Sequence, residues 1–261
     1  MLEAFVAGTA IAAACGVVGA FLVLRAQVFA GDALSHVAFT GGLAAAAGGV
    51  DVRFGVFAAS VVVAVGLGVL GTRRAGDAAI GTMFAWVLGL GALFLALFTT
   101  HRSGDGNGAA AVRVLFGSIL GLTRSDVWLA LAVSAAAVAV VLVLARPLLL
   151  ASLDPQLARA LGVPVRALEI AFLAVVGAVA AEATQAVGAL LLLGLVAAPA
   201  AAAFRIARSP YAALGLSAAF ATLAVWLGLA LADAEPRIPP STAIVSVAAA
   251  AFVAAQVRFA R

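Results

Sequence analysis

Long apolar runs alternate with short polar breaks along this chain, and the length of the runs sets the architecture. Apolar stretches cover 4–24, 31–50, 54–71, 80–100, 127–145, 168–186, 187–204, 211–232 and 241–257. Each is close to the ~20 residues an α-helix needs to cross the hydrocarbon of a bilayer. In lipid the backbone must satisfy its own polar groups, so such runs are helices. The pattern predicts an all-α, polytopic membrane protein with about nine transmembrane helices, eight being the alternative count. A shorter apolar segment, Val114–Leu122, is too brief to cross and is expected to be re-entrant or to lie at the surface. The first run lacks a positively charged leader and passes straight into more apolar sequence, so it reads as a retained helix.

Composition narrows this further. Of 261 residues, 66% are hydrophobic and 10% charged, against roughly 45–50% and ~25% in soluble domains. No stretch is polar enough for a second domain, and residues 1–261 read as one transmembrane domain. All fifteen basic residues other than histidine are arginine, and lysine is absent. A P-loop places a lysine on the β/γ-phosphates, so no Walker-type ATP site is present. The arginines stand mostly singly between apolar runs, which gives no nucleic-acid-binding patch. The single cysteine, Cys15, excludes an internal disulfide and a thiolate cluster and reads as a small buried hydrophobe.

Arginine bias sets the orientation. With the first helix running inward, the loops 25–30, 72–79, 146–168, 205–210 and 258–261 carry ten arginines, and the opposite loops carry five. The N-terminus is then outside and the C-terminus cytoplasmic.

Charges within spans are costly in hydrocarbon and are the first functional candidates. Asp32 and His36 stand four apart in GDALSHVAFTGG, on one helix face and one turn apart. A carboxylate and an imidazole suit a divalent first-row transition metal, though two ligands are too few for a site. The remainder would come from another helix or a second copy. Gly31-Asp32 reads equally as a helix N-cap, and His36 as a hydrogen-bonded core histidine. Glu182, near the outer end of the sixth run, could line a pathway or be an interfacial carboxylate. His101 lies with Asp105 in a polar stretch, suited to loose metal capture or simply solvated.

The longest polar insertion spans 146–168 and contains LDPQLARALGVP. Asp154 can cap a helix that starts at Pro155, Gly162 can end it, and Pro164 blocks its continuation. A short cytoplasmic helix over 154–162 follows, with Leu157 and Leu161 on one face and Arg159 nearby. A stiff helix protruding between two spans suits docking of a cytoplasmic partner.

GDALSH, the LFGSILG segment at 115–121, DPQLARALGVP and VGALLLLGLVAAPAAAA at 187–203 occur in this order. Together they resemble the permease of metal-type ABC importers, the zinc, manganese and iron uptake family. The likeness runs from about Ala4 to Ala207 and extends distantly to cobalamin and siderophore importer permeases, minus their first helix. It implies a type II importer-like permease, no enzyme itself, working as a homodimer or pseudodimer. Two cytoplasmic P-loop ATPases and an extracytoplasmic metal-binding protein would complete the transporter in a bacterial cell membrane. The family's metal pair falls on Asp32 and His36, and its ATPase-coupling helix on Asp154, Leu157, Arg159, Leu161 and Gly162. No permanently bound cofactor is implied; the metal is the cargo. Phe39-Thr40-Gly41 and the alanine-rich seventh run depart from common family sequences and leave the metal open among zinc, manganese and iron. A permease for a metal chelate is the alternative. A stand-alone proton- or sodium-coupled carrier would need more intramembrane acids or inverted repeats than this chain offers.

Overall fold

The computed structural model describes residues 2–70, 72–101, 117–235 and 237–258. In chain order the helices are α1 (Leu2–Leu24), α2 (Val28–Gly48), α3 (Val52–Leu70), α4 (Thr72–His101) and, after a 3-10 turn at Ile119–Gly121, α5 (Arg124–Leu153). The short α6 (Pro155–Ala160) precedes α7 (Val165–Val187), α8 (Leu192–Ile206), α9 (Pro210–Ala234) and α10 (Pro240–Arg258). Among the described residues no strand occurs, and seven helices (α1, α3, α4, α5, α7, α9 and α10) are long and apolar enough to cross a membrane. The structure therefore supports a polytopic all-α membrane protein with seven such helices. The two other long helices differ for physical reasons. In α2, Asp32, Ser35, His36 and several glycines dilute the hydropathy. Helix α8 has 15 residues, about 22 Å at ~1.5 Å per residue.

Two boundaries differ from the sequence expectation. Helix α5 does not stop before Arg146 but continues through Pro147 to Leu153. Proline removes one backbone donor, and burial of Leu148 and Leu149 holds the following turn in place. Helix α4 begins at Thr72, ahead of the apolar run at 80. The short segment expected at Val114–Leu122 is described only from Gly117. There it is part buried and part exposed: Ile119 is buried and the Ser118 amide donates to the Gln185 carbonyl at 3.1 Å, while Leu120 is exposed. Residues 114–116 lie outside the described residues.

Helix α1 is buried along most of its length, on all sides, and forms the centre of the bundle. It packs on α5, α7, α8 and α9, while α2 lies among α3, α4 and α7. Helix α4 touches the rest mainly through α2 and leaves Trp86 and Leu93 exposed. Between α2 and α3 the backbones meet at Gly41 and Gly55, where a methyl group on either would overlap the other's carbonyl oxygen. We expect Gly55→Ala to cost about 1–3 kcal/mol by overpacking. Gly66→Ala, where an added methyl meets nothing within 4 Å, serves as the comparison. Thermal melting in detergent should show a lowered midpoint for the first and an unchanged or raised one for the second.

Candidate functional site

Helix α2 begins at Val28, with Gln27 at the capping position. Asp32 is therefore already in the second turn, and the reading of Gly31-Asp32 as a helix N-cap is overturned. The chain can enter the helix early because Gln27 receives the Ala30 and Gly31 amides on its backbone carbonyl. Asp32 is half-buried, and His36, one turn on, is 8% exposed. The two side chains lie close enough to act on each other electrostatically. The His36 ring meets the edge of Phe84 on α4, with centroids 4.9 Å apart and planes at 89°. Among the described residues neither Asp32 nor His36 has a hydrogen-bonded side-chain partner, which leaves carboxylate and imidazole lone pairs for a cation.

The other polar residues of α2 are structural anchors. The Ser35 hydroxyl lies 2.7 Å from the Asp32 carbonyl and 3.0 Å from that of Ala189, both as acceptors. Ala189 belongs to the loop between α7 and α8 and is fully buried. Irregular backbone at membrane depth survives only where protein satisfies it, and Ser35 does so here. Gly188, with φ +95°, opens that loop in a conformation L side chains rarely adopt. Thr40 donates to the Val87 carbonyl at 3.0 Å and ties α2 to α4. Sequence reasoning missed the roles of Ser35, Thr40 and Phe84. Ser35 stands inside the GDALSH motif, but its partner is 154 residues away. Ser35→Ala should strand the Ala189 carbonyl at a cost of about 1–3 kcal/mol. The expected readout is a lower melting midpoint with helix content unchanged by circular dichroism.

The pair has two donors only; among the described residues no three His, Cys, Asp or Glu side chains gather at one place. Glu182 is not brought to Asp32 and His36. It sits in the last turns of α7, 4% exposed, with Oε2 lacking a hydrogen-bond partner. The nearest charges are an ion pair, Arg53 of α3 with Asp126 of α5, which acts on Glu182 electrostatically. His101 closes α4, and its side chain, like Asp105, lies outside the described residues. Cys15 is buried in α1.

At the end of the bundle where α2 begins, α6 protrudes. The Asp154 Oδ1 accepts the amides of Gln156 and Leu157 at 3.0 Å, and Pro155 occupies the first turn. Gly162, at φ +80°, reverses the chain after the helix. Ala158 is buried against the bundle, while Leu157 (47%), Leu161 (65%) and Arg159 are exposed. Leu157 on the helix and Leu161 at its C-cap give this protrusion an exposed apolar tip.

Comparison with known proteins bears on the family and the fold. The model of the ABC 3 transport family matches residues 1–258. The chain is 30% identical over 229 residues to the manganese transport system membrane protein MntC of Halalkalibacterium halodurans, covering 87% of this chain and 76% of that protein. It is 29% identical over 229 residues to the manganese import system permease protein ScaB of Streptococcus parasanguinis, covering 87% and 79%. Among solved structures it is similar to a chain of PsaBC from Streptococcus pneumoniae in complex with Fab, with TM-score 0.83 and 26% identity over 98% of this chain and 90% of that one. A match over almost the whole length, on a bundle of crossing helices without an ATP-binding lysine, places the protein in the ABC 3 transport family, as a permease subunit served by separate ATPases.

Proposed function

We propose that the protein moves a bare divalent transition metal ion inward across the bacterial cytoplasmic membrane by alternating access. The observation that carries this reading is the Asp32–His36 pair: one turn apart, both without a hydrogen-bonded side-chain partner among the described residues, on a helix whose remaining polar residues are engaged elsewhere. Two copies of the chain would supply two carboxylates and two imidazoles. A site assembled from two halves can open and close, which suits release as well as binding. Manganese is the favoured cargo, supported by the names of the relatives; iron and zinc share the same ligand chemistry.

In this reading α2 and α8 also cross the membrane, giving nine spans, with the 188–191 loop, in which Gly188 and Ala189 are buried, completing the path of α8. The N-terminus is outside and the C-terminus cytoplasmic. An extracytoplasmic metal-binding protein delivers the ion, and Glu182 lies on the outer approach, where its unpartnered oxygen would attract a cation. His101, at the end of α4, belongs to the same outer face in this orientation. Inside, two P-loop ATPases grip α6 through Leu157, Arg159 and Leu161, with Asp154 and Gly162 holding the helix in shape.

Elemental mass spectrometry of cells expressing the complete transporter tests this. The expected result is accumulation of one divalent metal, manganese first, that depends on Asp32 and His36. Transport of a metal chelate that survives loss of both residues would overturn it.

A further inference from the structure

The turn between α1 and α2 is tied to α7 by polar side chains in an otherwise apolar bundle. Arg25 Nε donates to Gln27 Oε1 at 2.9 Å, and Gln27 Nε2 donates to Glu169 Oε1 at 3.4 Å. The Arg25 guanidinium also lies over the Phe172 ring, 5.4 Å from its centroid. Glu169 and Phe172 are three apart on α7 and so share a face. The turn grips α7 at two points. Between Arg25 and Gln27, Ala26 is held at φ +54°, a left-handed conformation costly for alanine. Each end of the tie leads somewhere. Gln27 caps α2 and carries the first helical amides, five residues before Asp32. Glu169 lies in the second turn of α7, which follows α6 after a four-residue turn closed by Val163 N–H to the Ala158 carbonyl at 2.9 Å.

We propose that Arg25, Gln27 and Glu169 form a positioning element that transmits displacement of α6 and the start of α7 to α2, and so to Asp32 and His36. This rests on the ATP-driven reading above. Apolar side chains would staple a static turn at lower desolvation cost than a buried Arg25 and Gln27 joined to a half-buried Glu169. A polar tie can slide and exchange partners while staying attached. Space for such movement is present: Arg25 and Glu169 border a cavity of about 830 Å³ that reaches Val69 on α3, Arg159 on α6 and Arg166 on α7.

The test uses the whole transporter, permease with its ATPase and binding protein, in proteoliposomes loaded to follow manganese uptake and ATP hydrolysis together. ATP-dependent uptake by the wild type supports the underlying reading, and its absence removes both that reading and this inference. Given wild-type uptake, Gln27→Ala and Glu169→Ala are expected to lower manganese delivered per ATP about tenfold while hydrolysis stays within about twofold. Glu169→Gln, which keeps an accepting oxygen, should restore the ratio. An unchanged ratio in the alanine variants overturns the inference alone, as does a parallel fall of uptake and hydrolysis that Glu169→Gln shares. If the alanine variants do not assemble, the exchange variant Gln27→Glu with Glu169→Gln decides. Normal coupling supports the tie, and uncoupling in an assembled complex overturns it.

Discussion

Asp32→Asn or His36→Ala is expected to reduce metal accumulation by about 100-fold or more, since even residues that only orient a metal ligand typically contribute 10–100-fold. The size follows from symmetry. If two copies build one site, a single substitution deletes two of its four donors, one on each side. Asparagine keeps the shape of Asp32 but removes the charge that draws a dication out of water. Alanine at position 36 removes the imidazole nitrogens while Phe84 and the Ser35 and Thr40 anchors remain. The bundle should fold, since Asp32 is half-buried and makes no side-chain hydrogen bond among the described residues. Membrane abundance measured alongside metal content separates loss of the site from loss of the protein. Normal accumulation by both variants would make the pair structural and the cargo a chelate.

The second large effect belongs to α6. Leu157→Asp with Leu161→Asp should abolish co-purification of the ATPase subunits and with it all ATP-driven uptake, while the permease itself stays folded. Both leucines are exposed, so their replacement leaves the packing of the bundle untouched. What it removes is the apolar tip that a partner would bury. An aspartate in a desolvated contact has no compensating charge and is strongly unfavourable. Asp154→Ala acts differently. It deletes the acceptor for two amides of a six-residue helix, and loss of such a cap costs about 0.5–2 kcal/mol. A helix this short has no cooperative reserve, so we expect weakened rather than abolished ATPase retention in pull-down. Retention of the ATPase by the double leucine variant would place the docking surface elsewhere.

Much of the architecture is legible in the residues because lipid is a demanding solvent. Run length alone tells a spanning helix from a loop, and that rule needs no knowledge of the neighbours. The same holds for α6, whose Asp154, Pro155 and Gly162 act on the backbone within a few residues and stand in the structure at the cap, first turn and reversal. Absence of lysine excluded an ATP site on the same local ground. By contrast, the start of α2 was not legible. Asp32 resembles a cap, yet the helix begins earlier because Gln27 is held from α7, 142 residues away. Nor could the sequence show that α5 runs past Pro147, where burial of Leu148 and Leu149 outweighs a lost backbone bond.

Contacts across helices remained hidden for a single reason. A helix such as α1 is apolar on every side, so no polar stripe marks which face meets which partner. The Gly41–Gly55 approach, the Ser35 bond to Ala189 and the Phe84 edge on His36 all depend on how those faces come together. Local chemistry therefore determined that this chain spans a membrane, sets a carboxylate and an imidazole one turn apart and carries a short capped helix. Tertiary packing decided which residues hold the pair in place, because only the folded bundle brings together groups separated by tens or hundreds of residues.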